Sequence, residues 1–192
     1  MSRDMVMWGG LAGVVAGVMF LLSGMLYFIV APPLPTRPLG SFGDYLYEVV
    51  VAVAFVQVLV TIAGLHAAQR QSGRYGILGT AGFLLTFVGY ALVLVIAHLI
   101  RLVGGEPILS VRLVGGLLVL VGSMLLGAMT LYARVLPWWC GVVLIVGFPL
   151  GAFLETVRSG IENIVFAIVW WLIGYALLSR RGAVAEQPSR VS

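Results

Sequence analysis

The sequence contains no lysine and has few charged side chains of any kind. All 11 of its basic residues are arginines, 7 residues are acidic, and charged residues make up 9% of the 192 positions. A soluble domain carries about 25% charged residues, so this chain lacks the polar coat that a water-exposed fold needs. Without lysine, no pigment or cofactor can be attached as a lysine Schiff base.

Cysteine occurs once, as Cys140. A single cysteine excludes an intramolecular disulfide and a CxxC redox pair, so we expect Cys140 to be a small buried apolar residue. The sequence also has no GxSxG, HExxH or P-loop motif. It therefore assigns no enzyme activity, and the balance favours a protein that is not an enzyme.

Hydrophobic residues make up 61% of the chain and fall into six long runs. Because about 20 apolar residues cross a membrane as a helix, we predict an all-α transmembrane bundle of six spans. It forms a single domain over residues 1–180, followed by a disordered cytoplasmic tail at 181–192. The predicted spans are Met5–Val30, Tyr45–Ala67, Tyr75–Arg101, Val111–Tyr132, Pro137–Leu154 and Ile161–Leu178.

Two of these spans admit another interpretation. Met5–Val30 is longer than the roughly 7–15 apolar residues of a signal peptide, and no A-x-A site follows it, so we expect it to be retained. Pro137–Leu154 is short, and Pro149 should kink it. If that segment were re-entrant, the C-terminus would move to the other side of the membrane.

Arginines are distributed unequally between the two ends of the predicted spans. Seven lie at the end that holds both termini, and four lie at the opposite end. Because basic residues are retained in the cytoplasm, we predict that both termini are cytoplasmic. The larger group is Arg3, Arg70, Arg74, Arg134, Arg180, Arg181 and Arg190, and the smaller is Arg37, Arg101, Arg112 and Arg158.

A candidate site is predicted at the outer end of the spans. Arg112 begins span 4 and Glu155 ends span 5, and both positions oppose the helix dipole, so each needs an opposite charge nearby. We therefore predict one charge network, because ionisable groups within a membrane are candidate functional residues. Its members are Glu48, His98, Arg101, Arg112 and Glu155.

Three interpretations of this network stay open. It could consist of interfacial ion pairs that fix the helix ends, or it could form an outward-facing vestibule that binds or passes a small ligand. A membrane enzyme acting on a lipid, with His98 as the base, is the third. Gln57, the one strongly polar residue near mid-membrane, should hydrogen-bond a neighbouring helix, and the scarcity of charge there disfavours an ion-coupled pump.

The sequence predicts no cofactor and no metal site. His66 and His98 should lie about a membrane thickness apart, so one chain cannot clamp a haem between them. The sequence has no HxxxH pattern and no cysteine pair that could bind a metal ion. The arginines are too scattered to bind nucleic acid, so the expected partners are membrane lipids and either a second copy of the chain or a membrane complex.

A stripe of small residues runs along span 1. Gly9, Gly13 and Gly17 repeat at four-residue spacing, a pattern that lets helices approach closely. The stripe could pack inside the bundle or form a homo-oligomer seam. A structural subunit of a membrane assembly could contact its partners through this seam or through Trp170 and Trp171, which we expect to face lipid.

Three segments together resemble a widespread group of small, six-span bacterial inner-membrane proteins. They are Gly64–Gln69, Gly79–Leu85 and Ala133–Trp139, the last of which carries the turn A-R-V-L-P-x-W. The resemblance covers roughly residues 60–180. It implies a helical bundle in the plasma (inner) membrane of a bacterium, and it transfers no activity and no functional residues.

Overall fold

The computed structural model describes residues 2–30, 39–71, 73–105, 108–157 and 160–185. Every regular element within these ranges is a helix, and six helices are long and apolar enough to cross a membrane. This result confirms the predicted all-α transmembrane bundle. The helices are α1 (Ser2–Val30), α2 (Phe42–Arg70), α3 (Gly76–Leu102), α4 (Leu109–Ala133), α5 (Trp138–Val157) and α6 (Ile161–Ala185).

The helix ends follow local capping and composition. At the start of α2, the Ser41 hydroxyl accepts the Asp44 N–H at 3.1 Å, and the Asp44 carboxylate accepts the Ser41 N–H at 2.8 Å. This reciprocal capping box satisfies two amides that a helix start leaves unpaired. The last helix continues to Ala185, beyond the predicted domain end at 180, and the remainder of the predicted tail lies outside the described residues.

The six helices form a closed ring in chain order. Each packs against the next, and α6 returns to pack against both α1 and α2. Aromatic rings fill the interior at mid-depth, with Phe20 edge-on to Phe55 at 5.4 Å and Tyr90 edge-on to Trp170 at 5.6 Å. The acidic end of the bundle is the end at which α2, α4 and α6 begin, and the basic end is the one at which α3 and α5 begin.

The two neighbouring tryptophans of α6 face different surroundings. Trp170 is 1% exposed in the aromatic interior, whereas Trp171 is 59% exposed on the surface. The prediction that both face lipid is wrong for Trp170. Successive residues of a helix point about 100° apart, so Trp170 can face the interior while Trp171 faces the surface.

The glycine stripe of α1 packs within the chain. A Cβ placed on Gly9 would lie 2.6 Å from the Gly64 Cα of α2, and one on Gly13 would lie 2.7 Å from the Gly174 Cα of α6. A Cβ on Gly17 would meet the Ala167 carbonyl oxygen at 2.8 Å. The stripe therefore holds α1 between its two neighbours, and a second copy of the chain has no room against these glycines.

The fifth helix is continuous. It runs from Trp138 to Val157 with Pro149 inside it, and it is long enough to cross a membrane. Its length therefore favours a full crossing over the re-entrant alternative. Pro149 has no backbone N–H to donate, so the helix lacks one internal hydrogen bond at this position.

Candidate functional site

Glu48 is the centre of the candidate site. It lies one turn after the Ser41–Asp44 cap of α2, and its side chain is fully buried. Removing a carboxylate from water costs several kcal/mol unless opposite charges and hydrogen bonds compensate it. Both must therefore come from the helices that pack around Glu48.

A change of helix type in α3 brings in these partners. The α-helical part Gly76–Val93 is followed by a π-helical segment, Leu94–Leu99, and then by one α-helical turn, Ile100–Leu102. The wider π-helical turn holds an extra residue, so it changes which side chains face the neighbouring helix. Such segments are rare and occur frequently at functional sites.

The π-helical segment and the turn after it direct two basic side chains at Glu48. His98 Nδ1 lies 2.7 Å from Glu48 Oε2, and the Arg101 guanidinium donates to Glu48 Oε1. Both carboxylate oxygens are therefore occupied. Only 14% of the His98 side chain and 9% of the Arg101 side chain are exposed. We call these three residues the acidic-end triad.

An aromatic floor separates the triad from the interior of the bundle. The His98 ring lies over Phe55, with ring centres 5.1 Å apart and planes 30° apart. Phe55 in turn contacts Phe20 and Tyr90. The triad therefore rests on an apolar layer, beside which the Glu48–Arg101 ion pair is screened less than it would be in water.

The other two predicted site residues form a separate pair. Arg112 Nη2 lies 3.5 Å from Glu155 Oε1, and the two side chains are 34% and 49% exposed. This pairing gives each residue the opposite charge that its position against the helix dipole needs. An exposed pair at this distance stabilises a protein by about 0–1 kcal/mol, so it acts as a surface contact between α4 and α5.

Among the residues that the structure describes, the predicted network falls into two groups. The structure brings Glu48, His98 and Arg101 together, and it pairs Arg112 with Glu155. The ion pairs of the described ranges do not connect the two groups. The reason is geometric, because α3 turns its basic residues toward α2 whereas Arg112 of α4 pairs with the following helix, α5.

The triad is poorly suited to a metal ion. It offers one carboxylate and one imidazole, and the Arg101 guanidinium already neutralises the carboxylate. The residues that the structure describes include no group of three or more His, Cys, Asp or Glu side chains placed to hold a metal. The acidic-end triad can instead exchange hydrogen bonds with a polar organic group.

His66, at the basic end, lies in a different setting. Its ring stacks on Phe83 with centres 4.0 Å apart, and its Nδ1 lies 3.2 Å from the Tyr75 hydroxyl. Burial raises the pKa of the Tyr75 phenol above its ordinary value, so this hydroxyl stays protonated and can donate to the imidazole. The pair joins the end of α2 to the start of α3.

The structure also contains a buried amide between helices that the sequence did not predict. Gln69 of α2 is fully buried, and its side-chain nitrogen donates to the Thr130 hydroxyl of α4. Gln57, the predicted amide contact, is instead half-buried. Gln69 lies one residue before the last residue of α2, where a polar side chain ordinarily reaches water, so its position in the sequence carried no signal of burial.

The structure also describes a cavity far from the triad, at the basic end. It has a volume of about 240 Å³ and opens to the surface. It is lined by Arg70, Gly73, Tyr75, Gly76 and Thr80.

Comparison of the chain with protein-family models, with curated proteins and with solved structures finds no match.

Proposed function

We propose that this integral membrane protein binds a small polar ligand at the acidic-end triad. The observation that carries the proposal is the complete burial of Glu48 between His98 and Arg101. Buried ion pairs are often no more stabilising than well-packed apolar residues of the same volume. A helical bundle could therefore hold α2 and α3 together more simply with leucines.

The triad suits a ligand that carries both an acceptor and a donor. An acceptor on the ligand would replace the Glu48 carboxylate on Arg101, and a donor would replace Arg101 or His98 on Glu48. Each broken bond would then be exchanged for a new one, so no charge would be left unpaired. The π-helical segment supports this reading, because it is an irregular element that bears one of the exchanging groups.

The direction of access follows from the arginine distribution. Arg70, Arg74, Arg134 and Arg180 lie at the basic end, and basic residues are retained in the cytoplasm. We propose that both termini are cytoplasmic and that the triad opens outward. In line with the resemblance described above, the membrane would be the inner membrane of a bacterium.

Cysteine accessibility tests this proposal directly. The chain has a single cysteine, the buried Cys140, so Cys140→Ala gives a clean background. Glu48→Cys and His98→Cys would each be treated with a membrane-impermeant thiol reagent, in intact spheroplasts and in inside-out vesicles. We expect labelling in spheroplasts only, because the site would be reached by water from the outside.

Two control positions show how a cysteine behaves at the basic end and within the lipid. Trp138→Cys, exposed at the basic end, should be labelled only in inside-out vesicles. Trp171→Cys, exposed midway along α6, should resist labelling in both because lipid covers it. If neither triad cysteine reacts while Trp138→Cys does, the triad is sealed and the proposal fails. Labelling of the triad cysteines from the same side as Trp138→Cys would reverse the orientation.

A further inference from the structure

The cavity at the basic end lies where a lipid headgroup would meet the protein. Arg70 is the last residue of α2 and Gly76 the first of α3, so the cavity sits at the level where both helices leave the membrane. Its volume of about 240 Å³ is several times the roughly 30 Å³ of one water in the liquid. It can therefore hold a phosphate together with part of a headgroup.

The lining of the cavity favours an anion. Arg70 supplies a guanidinium, Thr80 a hydroxyl, and two glycines leave the backbone uncovered. Gly73 and Gly76 both have positive φ angles, of 67° and 55°, a conformation that costs glycine little. The Tyr75 hydroxyl is held by His66 at 3.2 Å, so this wall of the cavity is fixed.

The surroundings of the cavity are also positive. Arg74 is exposed on the same turn, and Arg134 and Arg180 lie at the same end of the bundle. Arginine binds phosphate oxygens through several N–H donors at once. An anionic group that approaches this end is therefore attracted before it reaches the cavity.

The adjoining surface of α3 distinguishes a lipid from free phosphate. Ile77, Leu78, Leu84 and Val88 are all exposed apolar side chains on the segment that enters the membrane beside the cavity. An acyl chain can lie along this apolar surface while its phosphate sits against Arg70. Free phosphate would gain nothing from these side chains.

We propose that this cavity binds the phosphate of an anionic phospholipid of the phosphatidylglycerol type, whose acyl chains lie along α3. The site is independent of the acidic-end triad, which lies at the opposite end of the bundle. The expected occupant of this cavity is a lipid, whereas the expected occupant of the triad is a small polar ligand.

Lipid-dependent thermal stability tests the proposal. The purified full-length protein would be titrated in mild detergent with short-chain phosphatidylglycerol, with phosphatidylcholine, and with inorganic phosphate. We expect phosphatidylglycerol to raise the Tm until the response saturates. Arg70→Gln should raise the half-saturating lipid concentration about tenfold, because it removes one charge-assisted hydrogen bond. Arg134→Gln removes the same charge at the same end but outside the cavity, and should change it less than twofold.

A second variant guards against a folding defect in Arg70→Gln. Thr80 is exposed, so Thr80→Glu should fold normally while it places a carboxylate on the cavity wall and abolishes the response to phosphatidylglycerol. Equal effects of Arg70→Gln and Arg134→Gln would overturn the proposal, because the attraction would then be general. An equal response to inorganic phosphate or to phosphatidylcholine, or no response in the wild type, would overturn it as well.

Discussion

Glu48 Oε2 and His98 Nδ1 lie 2.7 Å apart across the contact between α2 and α3, although 50 positions separate the two residues in the chain. This bond joins a helix that starts with a regular capping box to one that has a π-helical segment just before its last turn. It places the most deeply buried carboxylate beside the least regular backbone of the described bundle. Such an arrangement can either stabilise the protein or serve a ligand, and the two roles differ in what replacement of the triad does to stability.

Removing the charge of Glu48 should destabilise the protein strongly. Glu48→Gln removes the carboxylate that pairs with buried Arg101, and breaking a buried pair in this way costs about 3–5 kcal/mol. Glu155→Gln, in the exposed pair with Arg112, is the matched control and should cost about 0–1 kcal/mol. Reversible unfolding in detergent measures both. Similar values for the two variants would mean that Glu48 and Arg101 do not form a desolvated ion pair.

Replacing the whole triad by apolar residues should restore stability. In the triple variant Glu48→Met, His98→Leu, Arg101→Met, no charge of the triad remains buried, and such replacements are often neutral or stabilising by about 1–4 kcal/mol. We expect an unfolding free energy at or above that of the wild type, in the same detergent assay. A triple variant as unstable as Glu48→Gln would instead assign the triad a structural role.

The glycine stripe of α1 should tolerate no added methyl group. A Cβ on Gly13 would lie 2.7 Å from the Gly174 backbone, and overpacking of this kind costs about 1–3 kcal/mol. A Cβ on Gly116 of α4 would have nothing within 4 Å of it, so Gly116→Ala should be neutral or stabilise the helix by up to about 1 kcal/mol. The Tm of Gly13→Ala should fall below that of Gly116→Ala.

Size-exclusion chromatography with light scattering separates packing from assembly. If the stripe packs only within the chain, Gly13→Ala lowers the Tm and leaves the molar mass of the particle unchanged. A change in molar mass without a change in the Tm would point to a seam between copies, which the contacts of Gly9, Gly13 and Gly17 with α2 and α6 argue against.

Much of the bundle followed from the sequence, because long apolar runs and their arginine-rich boundaries depend only on local composition. The contact of Glu48 with His98 and Arg101 could also be predicted from the sequence, because two helices joined by a short turn bring the start of the first beside the end of the second. The π-helical segment could not be predicted, because nothing in the sequence of Leu94–Leu99 marks an extra residue in the turn. That segment helps to decide which arginine reaches Glu48.

The burial of individual side chains was equally beyond the sequence. Trp170 and Trp171 are adjacent and identical, and only the packing of α6 against the aromatic interior distinguishes them. Gln57 and Gln69 of α2 likewise differ in burial, and their positions in the sequence do not indicate which of them is buried. Depth along a helix can be counted from the sequence, but the direction that each side chain faces depends on how the six helices rotate against one another.

The contact between Gln69 and Thr130 should contribute a measurable coupling energy. Gln69→Leu and Thr130→Val each remove one partner of this hydrogen bond between α2 and α4, and the double variant completes a double-mutant cycle. Hydrogen bonds between membrane helices are worth about 0.6 kcal/mol on average and up to about 1.7 kcal/mol. We expect a value in the upper half of that range, because Gln69 is fully buried.

The cycle needs a control for the local bond of the threonine. Thr130 also donates to the Leu126 carbonyl at 2.7 Å, and Thr80→Val removes a similar bond, to the Gly76 carbonyl, on α3. Combining Gln69→Leu with Thr80→Val should therefore give additive losses of unfolding free energy. If Gln69→Leu is also additive with Thr130→Val, the amide stabilises the bundle through other contacts.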